Sequence, residues 1–470
     1  MAPHHQDMAQ AETINQNELA LATASTSPSA LRARLLSGSM IMLLSSGIVG
    51  GTNLVYNLII ARSLGAVEFG HATAIYTSLM LMSSVTLAFQ LVCSKLIARS
   101  PNLAAKVGVY RALHRRSWQV ALLIGGLIIS ASPALTHYLH LPRQTYVVLL
   151  GIGVAIYIPL GTRRGLMQGV YDFRHLALNS LLEVLVKLVG AVLLLRSGLG
   201  VTGVIAAVVA SLGLAYLAAR PSPVLNVTAE KGLPISFHEG MQAIVFFVGQ
   251  AAINNLDIVL VKHFFPAAVA GLYAAVALVG RAVYILCWSV VSSMFPVSAG
   301  SAQERGRHTV LSTALLLVLV VASSFTLAVW LTPNTLWSAL LGAGFVGQAQ
   351  VSFSSLLALY AALTGIYSLS VVLMTYEMSR RIANTGWLQL AFSAAIAFGI
   401  YLFHSSLYQV IGIQLALMVV LLVTVSMPFL LLKKLVNYDD AIAYEPLIRV
   451  RRADEEEVIA EFLKAEFYQP

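Results

Sequence analysis

Long apolar runs dominate this chain and leave it little choice of fold. Twelve stretches reach the roughly 20 apolar residues that a helix needs to cross a bilayer. They are 38–60, 70–92, 118–138, 145–162, 175–195, 199–219, 241–261, 269–293, 309–331, 353–375, 385–403 and 407–432. The break between the fifth and sixth rests on Arg196, Gly198 and Gly200 alone. Hydrophobic residues make up 58% of the 470 and charged residues 10%, with a mean hydropathy of +0.81. A soluble domain carries about 25% charged residues. The composition therefore excludes a water-soluble enzyme, a nucleic-acid binder and a disulfide-rich secreted module as whole-chain readings. Two cysteines, Cys93 and Cys287, leave no disulfide framework. The expected fold is all-α, polytopic and membrane-embedded.

The formal net charge of +9 would suggest nucleic acid in a soluble protein, but here it sorts by membrane side. With the N-terminus inside, the cytoplasmic loops and tails hold 23 Lys and Arg. The external loops hold four, Arg62, Arg143, Arg196 and Lys262, and Lys187 and Arg281 fall within spans. That asymmetry follows the positive-inside rule and predicts twelve transmembrane helices with both termini cytoplasmic. Arg32 and Arg34 precede the first run and no clear small-residue cleavage site follows it, so it reads as a span rather than a removed signal peptide.

A duplication is legible at an offset of 200, where Asn57 falls on Asp257 and Arg62 on Lys262; one inserted residue then brings Gly70 onto Gly271. An even number of spans per repeat preserves orientation, so a second half restarts on the cytoplasmic side. The predicted organisation is a disordered cytoplasmic tail (1–37), a first six-helix lobe (38–219), a cytoplasmic linker (220–240), a second six-helix lobe (241–432) and a cytoplasmic tail (433–470). In that last tail Asp454-Glu455-Glu456-Glu457 precedes an apolar stripe (Val458, Phe462, Ala465), which reads as a solvated segment or a short amphipathic helix. Lobes related by an axis along the membrane normal carry their substrate path in a central cavity between them.

Ionisable groups inside the membrane cost roughly 2.5–3.5 kcal/mol each on insertion scales, so they face a cavity or a partner. Glu183 and Lys187 stand four apart in the fifth span, with Asn179 one turn earlier on the same face. The spacing lets carboxylate and ammonium pair, either as a structural link or in a hydrated cavity that takes an anion or a coupling ion. Arg281 has no acidic residue within a turn of it and needs water, a partner on another helix, or a phosphate, for which its planar fork is suited. Gln250, Asn254 and Asp257 form a polar stripe on the seventh span, and Ser46, Gly50, Asn53 and Asn57 form one on the first. These read as two faces of one cavity, with Asp257 a candidate cation or proton site, or else as hydrogen bonds between helices.

Other signals carry little. Gly342-Ala-Gly344-Phe-Val-Gly347 spells a dinucleotide fingerprint but falls in an external loop with no βαβ unit around it. No phosphate-loop lysine motif occurs, so no ATPase is built in. The eleven histidines fall in tails, loops or span ends, so no buried His–acid pair supports catalysis. Asn226-Val-Thr228 spells a glycosylation acceptor but falls in a loop assigned to the cytoplasm.

Asn57-Leu-Ile-Ile-Ala-Arg62-Ser-Leu-Gly65-Ala-Val-Glu68-Phe69-Gly70 resembles the first-loop signature of the polysaccharide-transport family. These are the O-antigen and oligosaccharide flippases of the multidrug/oligosaccharidyl-lipid/polysaccharide (MOP) exporter superfamily. Arg164-Gly165-Leu-Met-Gln168-Gly169 with Phe173, Asp257 through Gly271-Leu-Tyr273-Ala-Ala, and Leu340-Leu-Gly342 through Phe345 and Ala349 resemble later segments in the expected order. The resemblance implies alternating access in a bacterial inner membrane, moving a polyprenyl-pyrophosphate-linked oligosaccharide to the external leaflet for surface polysaccharide. It implies no catalytic residue, no cofactor and no metal site. Its partners would be the lipid-linked oligosaccharide, membrane lipids, a proton or sodium ion, and a polysaccharide polymerase or export machinery, with no nucleic acid. Arg281, Lys187 and Arg62 become the substrate-binding positions, and Asp257, Glu183, Asn254 and Asn57 the ion-coupling ones. The alternative is a cation-coupled multidrug exporter of the same superfamily, whose cavity should be acidic and aromatic, whereas the intramembrane charges here are two basic and two acidic. A membrane glycosyltransferase, polymerase or ligase would need a charged external loop, and the longest external stretch, 332–352, has no charge.

Overall fold

The computed structural model describes residues 28–219, 237–287, 290, 304–346, 352–380 and 385–427. The acidic C-terminal tail, nearly all of the linker between the halves and most of the N-terminal tail lie outside the described residues.

The first helix, α1 (Pro28–Arg99), begins ten residues before the expected span, so part of the segment read as a disordered tail is helical. Gly65 divides α1 into two limbs. Its φ of 72° and ψ of 175° lie in a region that glycine enters without a Cβ clash, and there the chain turns back. Helices α2 (Leu103–Ser130) and α3 (Ser132–Tyr138) are bent 62° to one another. Asn102 caps α2, its side chain accepting from Ala105 N at 2.7 Å. There follow α4 (Thr145–Gly169), α5 (Phe173–Arg196) and α6 (Gly200–Ala218). The weakest predicted break is real: Gly198 (φ 83°) and Gly200 (φ 51°) separate α5 from α6.

The second half holds α7 (Phe237–Phe264), α8 (Ala267–Gly280), α9 (Glu304–Leu331), α10 (Asn334–Leu341), α11 (Ala343–Val346), α12 (Phe353–Arg380), α13 (Thr385–Leu402) and α14 (Leu407–Met427). The uncharged stretch 332–352, read as a loop, contains α10 and α11, with Trp337 and Leu341 buried. Among the described residues eight helices are long and apolar enough to cross a membrane, or nine with α2 and α3 as one bent span. That count takes Leu44–Arg99 as one helix, although Gly65 breaks it. Leucines and aromatics line the outside: Leu123 is 62% exposed, Leu331 66% and Phe398 64%. An apolar exterior on this scale needs lipid rather than water around it.

With no hydrophobic drive between helices in lipid, close backbone approach has to hold them together. On α4, Gly161, Gly165 and Gly169 recur at four-residue steps and face Thr86, Gln90 and Ser94 of α1. A Cβ on Gly165 would stand 2.6 Å from Gln90 O. α2 also packs on α4, and α5 on α6. In the second half α7 packs on α13, and α12 on α8 and α9. The halves meet where α1 lies against α7 and α8. There the two glycines that the offset of 200 with one inserted residue aligns face each other, and a Cβ on Gly70 would reach Gly271 N at 3.0 Å.

Candidate functional site

Two of the interior's polar clusters hold most of the charges marked in the sequence, one in each half. In the second, Asp257 on α7 is 1% exposed and both carboxylate oxygens are engaged. Oδ1 accepts from Arg281 Nη2 at 2.8 Å, and Oδ2 accepts from the hydroxyls of Tyr273 and Tyr360, each at 2.8 Å. Arg281 also donates through Nε to Tyr360 Oη at 3.1 Å and through Nη1 to Asn255 Oδ1 at 3.4 Å. Gln414 Nε2 donates to Tyr273 Oη at 2.9 Å. Four helices converge: α7 brings Asp257, α8 brings Tyr273, α12 brings Tyr360 and α14 brings Gln414. Arg281 stands at the C-cap of α8, where the helix turns before residues 282–287.

Beside this network a recess of about 310 Å³ is lined by Asn254, Arg281, Tyr360, Tyr367, Gln414 and apolar neighbours. Asn254 donates to its own helix at Gln250 O (2.8 Å), and its Nδ2 reaches Tyr367 Oη at 3.5 Å. Gln250 Nε2 donates to Tyr284 Oη at 2.9 Å, and the Tyr284 and Tyr367 rings stack 5.8 Å apart.

In the first half Lys187 on α5 is 4% exposed. Its Nζ donates to Asn53 Oδ1, from the first limb of α1, and to Tyr76 Oη at 3.3 Å, from the second. The ammonium also lies 4.6 Å from the Tyr56 ring centroid and 4.9 Å from that of Tyr76, within cation–π range. Among the described residues no carboxylate forms a salt bridge with it. Glu183, one turn earlier and within reach by spacing, turns elsewhere. Its Oε2 lies 2.6 Å from Arg164 Nη2, and Arg164 Nε donates to Asn179 Oδ1 at 2.8 Å. The expected Glu183–Lys187 pair is therefore replaced by Glu183–Arg164. Arg164 belongs to buried α4, not to the loop in which the charge count placed it.

The sequence-predicted residues separate by half. Asp257 and Arg281 come together as an ion pair, so the missing acid partner of Arg281 is found on α7. Asn254 lines the recess beside them. Lys187 touches Tyr56 and Tyr76, which line a second recess of about 310 Å³ formed by first-half residues. Asn57 donates to Asn53 O at 2.7 Å on its own helix. Arg62 is exposed at one end of the bundle and donates to Ala339 O at 3.0 Å, apart from both clusters. Tyr273 and Tyr360, which bind Asp257, and Gln414, which binds Tyr273, went unnoticed, although a tyrosine or glutamine inside a continuous apolar run is itself a polar signal. Among the described residues no group of three or more His, Cys, Asp or Glu could hold a metal ion.

The same arrangement of helices occurs in solved transporter structures. One is a multidrug resistance MATE family transporter of the MOP superfamily in its inward-facing conformation (TM-score 0.63, 14% identity, covering 83% of this chain and 99% of that one). An outward-facing structure of such a transporter gives 0.56 at 13% identity, covering 82% and 93%. A MATE structure in the bent conformation gives 0.55 at 13%, covering 86% and 96%. At this identity the likeness is one of fold. No family model matches the sequence, and no curated protein matches it.

Proposed function

We propose that the protein is an alternating-access exporter that carries a polyprenyl-pyrophosphate-linked oligosaccharide from the cytoplasmic to the external leaflet of a bacterial inner membrane. In this reading the chain crosses the membrane twelve times, with both termini cytoplasmic and two six-helix lobes that rock about the α1–α7/α8 contact.

The observation that carries the reading is Lys187. It is a buried ammonium held by an amide oxygen, a phenol and two ring faces, without a carboxylate to neutralise it. The other intramembrane charges cancel in pairs, Asp257 with Arg281 and Glu183 with Arg164. Among the described residues Lys187 and, at one end of the bundle, Lys262 are left as buried positive charges, which attract an anionic headgroup and repel a cationic drug.

The second cluster supplies a means of coupling. Asp257 can take a proton or a sodium ion only by loosening Arg281, and a pyrophosphate that draws Arg281 away frees Asp257 for that ion. Each ligand thus biases the other through one shared guanidinium, which is the requirement for coupled binding. Arg62, at the bundle end, is an accessory contact at most.

Cation-coupled multidrug export is the second reading. It is favoured by the multidrug transporters that share the fold, and by the tyrosines that line both recesses. Extraction of lipids from a strain lacking this gene separates the two. Accumulated polyprenyl-linked oligosaccharide together with a lost surface glycan supports the flippase. Unchanged lipid-linked sugars with new sensitivity to cationic dyes move the assignment to drug export.

A further inference from the structure

One end of the bundle closes over a cation that nothing among the described residues balances. Lys262, in the last turn of α7, is 1% exposed, and its Nζ has no hydrogen-bond partner among the described residues. His71, 7% exposed, has an equally unpartnered Nδ1.

The two residues lie in one layer between the halves. His71 follows Gly70, whose missing Cβ would stand 2.9 Å from Ala267 O at the start of α8, five residues after Lys262. The two side chains are close enough to interact electrostatically.

Among the described residues no acid on the neighbouring elements answers them. Asp257, lower on α7, is saturated by Arg281, Tyr273 and Tyr360. Glu68 is exposed and stands near Gly200. His263 turns away, its ring stacked 3.9 Å from Tyr138 and its Nδ1 2.8 Å from Tyr138 O.

A buried ammonium without a counter-charge is strongly unfavourable, and removing its partner is what makes a buried ion pair fail. Evolution could place a leucine here at no electrostatic cost. The closed end instead holds a charge that gains hydration or a counter-ion as soon as the halves separate. The charge distribution assigns this end to the outside.

We propose that Lys262 and His71 form an exit-side anion site, shut away while the outer end is closed and offered to a phosphate or pyrophosphate group as the halves part there. It deepens the exporter reading and rests on it: the headgroup would pass from Lys187 and Arg281 to Lys262 and His71 on its way out.

The test uses full-length protein in maltoside detergent, with Cys93→Ala and Cys287→Ala removing the native thiols. Ala270→Cys then reports opening, because Ala270 is buried at this contact. Its rate of modification by a hydrophilic maleimide is measured with inorganic pyrophosphate, with phosphatidylglycerol, and with neither. Pyrophosphate is expected to raise the rate about fivefold or more, the lower range of measured coupling between sites. Lys262→Met should abolish the response, His71→Gln should reduce it and Lys262→Arg should retain it.

Because Lys262→Met removes an unpaired charge, its unfolding temperature should not fall, which separates a binding role from a structural one. An unchanged response in both Lys262→Met and His71→Gln overturns the site. A response to the lipid alone overturns the exit role and leaves the site to bilayer headgroups. The inorganic probe needs no glycan, so this site and the oligosaccharide reading can fail independently.

Discussion

Asp257 and Arg281, 24 residues apart in sequence, meet at 2.8 Å between α7 and the turn that ends α8. Two tyrosine hydroxyls complete the buried carboxylate, while Arg281 keeps part of its side chain exposed on the adjoining recess. The candidate substrate cation and the candidate ion site are thus one unit, and each tests the other.

Arg281→Ala leaves Asp257 buried without its partner, and breaking a buried pair costs about 3–5 kcal/mol. Both the unfolding temperature in detergent and transport should fall. The double variant Asp257→Asn/Arg281→Gln should regain stability without regaining transport. Arg281→Lys should rescue transport only in part, because the ammonium lacks the fork that reaches Asp257, Asn255 and Tyr360 together. An Arg281→Ala protein with full transport would remove this pair from the mechanism.

Lys187→Met should behave in the opposite sense on stability. It abolishes a net interior charge that has no carboxylate to orphan, so transport should be lost while the unfolding temperature holds or rises. Transport in inverted vesicles and thermal unfolding of the same preparation check the two halves of this expectation.

Partner choice in α5 is measurable by double-mutant cycles. Arg164→Gln and Glu183→Gln should couple by roughly 0.5–3 kcal/mol, as contacting residues do. Glu183→Gln and Lys187→Met should add to within about 0.5 kcal/mol. Coupling of the second pair alone would restore the i,i+4 pairing that the sequence allowed.

Gly165→Ala forces a Cβ to 2.6 Å from Gln90 O, a backbone atom that cannot swing aside. Overpacking of this kind costs about 1–3 kcal/mol, read as a lowered unfolding temperature. Gly126→Ala, with nothing within 4 Å of the new Cβ, should be neutral or stabilising by about 0.4–1 kcal/mol.

Orientation is tested by thiol labelling in intact cells lacking the native cysteines. Ser197→Cys, exposed between α5 and α6, should react with an impermeant reagent from outside, and Arg115→Cys only after the membrane is opened. The reverse pattern would invert the topology and move the Lys262 site to the cytoplasmic face.

Much of the framework was legible because the cues are local. Apolar runs gave helices where the described residues allow comparison, and Gly198 with Gly200 did separate α5 from α6. The alignment of Gly70 with Gly271 found residues that touch. Less local features were misread. Arg164 was counted with a loop because two arginines after an apolar run look like a boundary, yet α4 continues to Gly169.

The sequence by itself determined that this chain is helical and lives in lipid, and it marked Asp257, Arg281, Glu183 and Lys187 as ionisable groups inside the spans. Burial cost alone makes those residues conspicuous, whatever surrounds them. Only the tertiary structure decided their partners. An ion pair in a low-dielectric interior forms with whichever opposite charge the packing brings within about 3 Å, and helical spacing offers that choice without making it. So Glu183 passed over Lys187 for Arg164, Asp257 closed on Arg281, and Lys187 and Lys262 were left as buried cations with no carboxylate partner among the described residues.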